Sequence, residues 1–459
     1  MGLSTAMEIG KNGLNIYRVA TEVTSENIAN VNTPGYSRQR VILETSPPTT
    51  ANGFPIGTGV RIAAVERYYD SLLQQQLVNA QTTQGYDTTK STVLQQIEPT
   101  FNEISSDGLG AAISNYFGAW QDLTLNPAGS AERQAVLSRA QILTDNFHSV
   151  SKALTDTISI QNDTLVPLTE DINATLNNIA QLNGQIKTTE LVNGNANELR
   201  DQRDQLVRDL SQQIGITYKE NSDGTTDISY ADGGAALVTD TAVGSFSLTN
   251  NVGTGLYNVF VTQAGGGTAL VTPKTGQLGA ILELRDTIIP GYLSKVDDLA
   301  NSMVSEVNAI HSAGFQQDAI TAGTNFFSGT TAKDIALNIS TTNQVAASGV
   351  AGLVGDSSNT LKLAQLQNKL TMSAGTTTFN SYYDSLVSQV GLDVQSSKNT
   401  EAQDIAFTKQ LTTLRESNSG VSLDEELTNL IKYQRSYQAS SKLITTATEM
   451  MDIVIGIIR

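Results

Sequence analysis

Two histidines and no cysteine in 459 residues leave few seats for metal, nucleophilic or general-base chemistry. His148 lies near Asp145 but has no HxxxH partner, and His311 is the only other imidazole. A metal site needs converging ligands, so a surface or packing role is expected for each. Asp201 and Asp204 stand one helical turn apart, as a carboxylate pair could. Arg200, Arg203 and Arg208 flank them, and the pattern predicts a solvated, ion-paired helix face. The run from Asn221 through Asp223-Gly224 to Asp227 begins like a calcium loop but lacks the closing bidentate Glu, and reads as a turn. Gly265-Gly266-Gly267 leads into no helix start and no Lys-Ser/Thr, so it is no phosphate loop. No Gly-x-Ser-x-Gly with a plausible His and acid is present. The single tryptophan, Trp120, is expected in a core rather than under a ligand. The reading is of a non-enzyme without catalytic, cofactor or metal residues.

Composition narrows the partners. The formal net charge of -17 and the absence of any basic run argue against nucleic acid, whose binding rests on clustered Lys and Arg. The longest apolar stretch, Ile453 to Ile458, is too short to span a bilayer, so no membrane partner is expected. The N-terminus shows no basic head, apolar core and small-residue cleavage site, hence no cleavable signal. Length allows about two to four domains.

The elements that carry information are at the two ends. Leu423, Leu430, Tyr437, Ile444, Met451 and Ile458 recur in steps of seven, with Leu427 and Ile455 in intermediate seam positions. A period held this long predicts a helix, roughly 55 Å in length, that buries one narrow side against another helix. Ser422 with Glu425 fits a capping box, and Asp424 to Glu426 put negative charge on the first turn. Burying six such side chains contributes roughly 10 kcal/mol. Fixing the backbone costs on the order of 1–2 kcal/mol per residue, so the helix needs a partner. At the other terminus Leu3, Met7, Gly10, Leu14, Tyr17, Thr21, Thr24, Ile28 and Val31 step by three and four, until Asn32-Thr33-Pro34-Gly35 forbids more helix. Two readings fit: an ordinary antiparallel pair within one globular domain, or a coiled pair that closes the molecule and still exposes apolar surface to a further partner.

Between the ends the order is helical, β, helical. Extended chain over Tyr36–Glu44 and Val60–Val65 brackets a Gly-rich loop, Asn52 to Gly59. Helical patterns follow from Tyr69 to Ile97 and from Ile113 to Leu123. Ser130 is read as the cap of a further helix, which Pro167 breaks or restarts, and Asn193-Gly194-Asn195 as a turn before a charged helix over 198–213. Ile214–Tyr218, Thr226–Tyr230, Ala236–Thr239, Ser245–Leu248 and Tyr257–Thr262 read as a meander or small sandwich. Helix resumes at Gly276. Residues 315–380 read as loop with short strands, and two last helical stretches run over 382–390 and 399–414. The fold class expected is mainly α with an inserted β domain. Its nested, discontinuous units would be a terminal coiled coil (1–60 with 415–459), a helical bundle (61–213 with 276–414) and a β insertion (214–275).

The stretch Ser25-Glu26-Asn27-Ile28-Ala29-Asn30-Val31-Asn32-Thr33-Pro34-Gly35-Tyr36-Ser37-Arg38-Gln39 resembles the signature shared by the rod, hook and junction proteins of the bacterial flagellar axis. The segment from Ser419 to Glu426, with Leu430 and Tyr433 to Ala439, is similar to the matching C-terminal end. Leu199 to Leu206 and Val307 to Gly314, then Phe326-Phe327, resemble the branch that forms the first ring joining hook to filament. After Gly314 the chain reads Phe315-Gln316-Gln317-Asp318, where that branch tends to place an acidic residue directly after the Gly.

The resemblance implies a structural flagellar component, required for filament assembly, that self-assembles into a ring. Hook protein would lie below it and the second junction protein (hook-associated protein 3) above. It implies unfolded export through the flagellar type III apparatus, an extracellular location, and a cytosolic export chaperone on the last helix. Subunit contacts are expected through Leu3, Met7, Leu14, Tyr17, Ile28 and Val31 and through Leu423, Leu427, Leu430, Tyr437, Ile444, Met451, Ile455 and Ile458. The family motif is carried by Asn27, Ile28, Ala29, Asn30, Asn32, Thr33, Pro34, Gly35, Tyr36 and Ser37. Another axial protein such as the hook subunit is the near alternative, against which the helices between Ser130 and Gln213 speak. A secreted wall hydrolase or an adhesin is the distant one.

Overall fold

The periodic stretches at both ends of the chain become helices. The computed structural model describes residues 2–51, 54–101, 108–192 and 194–458. Asn52, Gly53 and Asn193 of the expected loop and turn lie outside the described residues, as does the side chain of Ile458. The chain opens with α1 (Gly2–Ala29), then a ribbon of β1 (Gln39–Thr45), β2 (Thr49–Ala51), β3 (Phe54–Ile56) and β4 (Val60–Arg67). Next come α2 (Ser71–Ile97), α3 (Leu109–Leu125), α4 (Ser130–Glu190) and α5 (Asn197–Gln213). The β insertion holds β5 (Ile216–Glu220), β6 (Thr226–Tyr230), β7 (Ala236–Thr239), β8 (Ala242–Val243), β9 (Ser245–Asn250), β10 (Tyr257–Thr262) and β11 (Thr268–Leu270). Helices α6 (Gly276–Glu283) and α7 (Ile289–His311) lead to the short strands β12 (Phe327–Ser328) and β13 (Ala336–Leu337). The chain ends with α8 (Ser358–Gln365), α9 (Phe379–Ser419) and α10 (Leu423–Ile458).

Pro167 does not break its helix. α4 runs through it for 61 residues, about 90 Å at 1.5 Å per residue. An interior proline costs about 3 kcal/mol, whereas Leu165, Leu168 and Ile172 around it are all buried and contribute about 1.5–3 kcal/mol each. Packing wins. At the next interior proline, Pro290, the chain accommodates the ring differently: a π turn over Leu284–Ile288 precedes it. Ser130 is the first helical residue rather than the cap, which falls on Gly129 and carries no side-chain bond.

The two stretches expected over 382–390 and 399–414 are likewise one helix, α9. Its polar middle hides the period, because it packs on an equally polar part of α2, burying Ser397 and Thr408. Asp70 caps α2 by accepting from the amides of Leu72 and Leu73.

Two cores are threaded by α4. Its first half joins α3, α7, the start of α9 and the segment 315–380 around Tyr116, Trp120, Phe326 and Phe327. That segment is therefore less of a loop than expected: Phe326, Phe327, Ile335 and Val345 are buried. The second half of α4 backs the β insertion with α5 and α6. The insertion is two consecutive antiparallel sheets, β5-β6-β7-β8 and β11-β10-β9. No helix among the described residues is long and apolar enough to cross a membrane.

Candidate assembly interface

α1 and α10 lie antiparallel. Tyr17 stacks on Tyr433 with ring centroids 6.4 Å apart, and Asn27 Nδ2 donates to Glu426 Oε2 at 3.0 Å. The centre of the seam is small. A Cβ on Gly10 would stand 2.6 Å from Ile444 Cγ1, and one on Gly13 would stand 2.7 Å from Ser440 Oγ. Gly10, Gly13, Ile16, Ala20, Thr24 and Asn27 are the buried residues of α1, and Glu426 and Ala447 those of α10.

Most of the large apolar residues expected at the seam lie off its centre, while Ile444 against Gly10 and Tyr17 on Tyr433 stay in it. Leu3, Met7, Leu14, Tyr17, Ile28, Val31, Leu430, Ile444 and Met451 are only partly buried. Leu423, Leu427, Tyr437 and Ile455 are exposed, at 45%, 49%, 42% and 53%. The physical reason is the close approach that glycine permits: with the axes drawn together, small side chains fill the middle and long ones are pushed to the flanks. On the helical wheel Leu423 and Leu427 flank one side of the seam, Leu443, Met450 and Val454 the other, and Ile431 lies round on the outer face, all exposed. Gly10→Leu is expected to overpack the seam by about 1–3 kcal/mol. Amide hydrogen exchange should then speed up in α1 and α10 and stay unchanged in α4.

The motif after α1 is a polar joint. Asn27 satisfies its whole amide: Nδ2 donates to the Gln39 carbonyl at 2.9 Å and to Glu426, and Oδ1 accepts from the Gln39 amide at 2.9 Å and the Tyr36 hydroxyl at 3.0 Å. Asn30 folds back on Glu26 and accepts from Thr33 Oγ1 at 3.1 Å. Gly35 then turns the chain at φ 82°, a region open to glycine. Ala29, Asn32, Thr33 and Pro34 stay exposed. Burial pushes the Tyr36 hydroxyl above its usual pKa, with Glu26 and Asp201 adding to the effect.

Arg38 reaches across to the start of α10, with Nε 2.8 Å from Glu426 Oε1 and a terminal nitrogen 2.6 Å from Glu425 Oε2. Glu425 therefore pairs outward instead of closing the capping box expected with Ser422. Burial alone would lower the Arg38 pKa; its two glutamate partners more than offset this and raise it.

The expected solvated face of α5 is buried. Asp201, Asp204, Arg203 and Arg208 are 6%, 7%, 1% and 5% exposed, because the motif loop, the β1–β4 ribbon, α2 and α4 close over α5. Asp201 accepts from the Ser37 amide at 2.7 Å and from its hydroxyl at 2.8 Å. Arg67 lies 2.7 Å from Asp201 Oδ1 and 2.8 Å from Asp204 Oδ2. Burial, followed by the repulsion of Arg415, pushes Arg208 down to about 10.

Sequence reasoning thus found the motif but missed its partners Arg67, Asp201, Asp204, Arg415 and Glu426. The one available signal was the spread of charge around α5 instead of along one stripe. The remaining chemical candidates are structural. His148 Nε2 lies 2.7 Å from the Ile335 carbonyl. Buried His311 bridges the Thr324 carbonyl and the Ala346 amide, and Asn221–Gly224 turns between β5 and β6. Among the described residues no group of three His, Cys, Asp or Glu could hold a metal.

Comparison with known proteins gives the same outline. A family model described as "Flagellar hook-associated protein FlgK helical domain" matches residues 94–327. Models of the "Flagella basal body rod protein" and the "Flagellar basal body rod FlgEFG protein C-terminal" match 7–36 and 415–457. Flagellar hook-associated protein 1 of Bacillus subtilis is 28% identical over 99% of this chain and 98% of the relative. Its namesake in Salmonella typhimurium is 26% identical over 99% of this chain and all of the relative. The solved structure of the flagellar hook junction protein FlgK from Burkholderia pseudomallei superposes with a TM-score of 0.69 at 18% identity, covering 76% of this chain and 100% of its own, and so shares the fold. The rod-type models account for the paired ends and the helical-domain model for just over half of the chain between them, so this chain belongs to the flagellar hook-associated protein FlgK family, whose members are structural proteins of the flagellum rather than enzymes.

Proposed function

We propose that the chain builds the ring between hook and filament, with the α1/α10 pair, in a terminal unit of residues 1–60 and 415–459, lining its inner tube. The observation that carries this reading is the exposed apolar surface on both flanks of α10, far more than a helix facing water would keep. Copies of the same chain beside, above and below would cover it, with hook protein under the ring and the second junction protein on top. The helical body and β insertion stand outside this tube.

Tyr437 and Ile444 separate the two kinds of contact. Tyr437 is exposed, whereas Ile444 faces Gly10 across the seam. Tyr437→Asp is therefore expected to leave the pair and the body folded and to stop filament assembly. Motile cells with normal filaments carrying that change would defeat the reading. Before assembly the apolar, β-branched end of α10 is an aggregation hazard. Export as an unfolded chain, with a cytosolic chaperone on α10, answers it. A full chain truncated from about Ser422 should no longer form the chaperone complex in pull-down, and undiminished binding would exclude that helix as the contact.

A further inference from the structure

We propose that Arg38 and Glu426 form a clasp that sets the direction in which α10 leaves α9, and that Glu426 is the positioning residue for the assembly surface. The inference rests on the assembly reading only for its consequence; the geometry stands by itself. Helices α9 and α10, of 41 and 36 residues, are joined by only Gly420, Val421 and Ser422. Any change in the angle between two such rods has to be absorbed there.

One residue grips both sides of that link. The Arg38 amide donates to the Ser419 carbonyl at 2.8 Å, holding the last turn of α9. Its guanidinium holds the first turn of α10 through Glu425 and Glu426. Arg415, one turn earlier in α9, donates to the Gly35 carbonyl and so fixes the same end to the motif loop. Arg38 itself is fixed to the body, because Ser37 is held by Asp201 and the Arg38 carbonyl accepts from the Tyr68 amide at 2.8 Å.

Glu426 differs from its neighbour Glu425. Its side chain is 3% exposed against 62%, and only Glu426 also reaches Asn27 of α1. It therefore joins three elements: the motif, the start of α10 and the end of α1. Among the described residues the rest of the α1/α10 seam is apolar, aromatic or small at its centre and carries no second buried charge, so Glu426 is its one buried ionic tie to the body.

The chain has no cysteine, which makes a site-specific distance measurement clean. Spin labels would be placed at Thr45→Cys on the ribbon and Thr446→Cys on α10, both exposed. The two labels sit on elements that α1 bridges, since a Cβ on Gly59, beside the Thr45 strand, would stand 3.5 Å from Ile9, and one on Gly10 would stand 2.6 Å from Ile444. A control pair would join Thr45→Cys to Lys11→Cys on α1. In the full chain the Thr45–Thr446 distance distribution is expected to be narrow. With Glu426→Leu it should become about twice as broad, as for a released hinge, while the Thr45–Lys11 distribution and the melting of the body stay unchanged. Glu426→Gln, which keeps the acceptor for Asn27 but loses the charge facing Arg38, should fall between. An unchanged Thr45–Thr446 distribution, a parent distribution already broad, or a parallel broadening of the control pair would each overturn the clasp. Assembly by cells carrying Glu426→Leu is scored separately: normal rings together with a broadened distribution would leave the clasp standing and count against the tube.

Discussion

Replacing Arg67 by Ala is expected to cost about 3–5 kcal/mol, the range found when one partner of a buried ion pair is removed. Arg67 faces both Asp201 and Asp204, and all three side chains are less than a tenth exposed. Burial would lower the arginine's pKa; the two carboxylates overcome that and raise it above its usual value. Without the guanidinium, two carboxylates face each other with little water, next to a motif loop that hangs on one of them through Ser37. The urea midpoint of the full chain should fall, and the amides of Ser37 and Gln39 should lose protection first. Combining Arg67→Ala with Asp201→Asn and Asp204→Asn should be less harmful than the sum of the single changes, by about 1–3 kcal/mol. Strict additivity would mean that the cluster is three independent surface charges, which its burial argues against.

A second large effect is expected from acid. His311 is fully buried beside Trp120 and Phe326. Its Nδ1–H donates to the Thr324 carbonyl at 2.6 Å and its Nε2 accepts from the Ala346 amide at 2.9 Å, which is the neutral tautomer. Burial, assisted by nearby Arg133 and partly opposed by the Thr324 carbonyl, lowers its pKa to about 4. The folded state therefore binds fewer protons than the unfolded one between about pH 6.5 and 4. Its contribution is complete above the unfolded value and is lost as pH falls through that window, by about 3 kcal/mol.

Asp87 acts in the opposite direction. Burial, then its contact with Asp404, raises it to about 6, so its contribution is present in acid and lost as pH rises from about 4 to 6. The two are separated by comparing the parent with His311→Gln in urea at each pH. The advantage of the parent over the variant should shrink by about 3 kcal/mol between pH 7 and 4; a constant difference would show that His311 keeps its usual titration.

Local pattern was enough where one residue decides one thing. Leu423 to Ile458 announced α10 by spacing, and Thr226–Tyr230, Ala236–Thr239 and Tyr257–Thr262 appear as strands with those bounds. The motif Asn27 to Ser37 was legible as a motif, and Trp120 as core. Pattern failed where neighbours from far along the chain override it. Pro167 looks like a stop, but the β insertion packs against α4 on both sides of it. Asp201 with its arginines looks like a wet surface until Ser37 and Arg67, distant in sequence, close over it.

Residue type and short-range spacing were enough to announce helices with apolar periodicity at both ends and a β unit that interrupts a helical body. Which side of α10 is packed inside the chain and which stays exposed emerged only from the folded chain. That choice depends on how near two backbones can come at Gly10 and Gly13 and on where Glu426 finds its cation, and neither is a property of any one stretch of sequence.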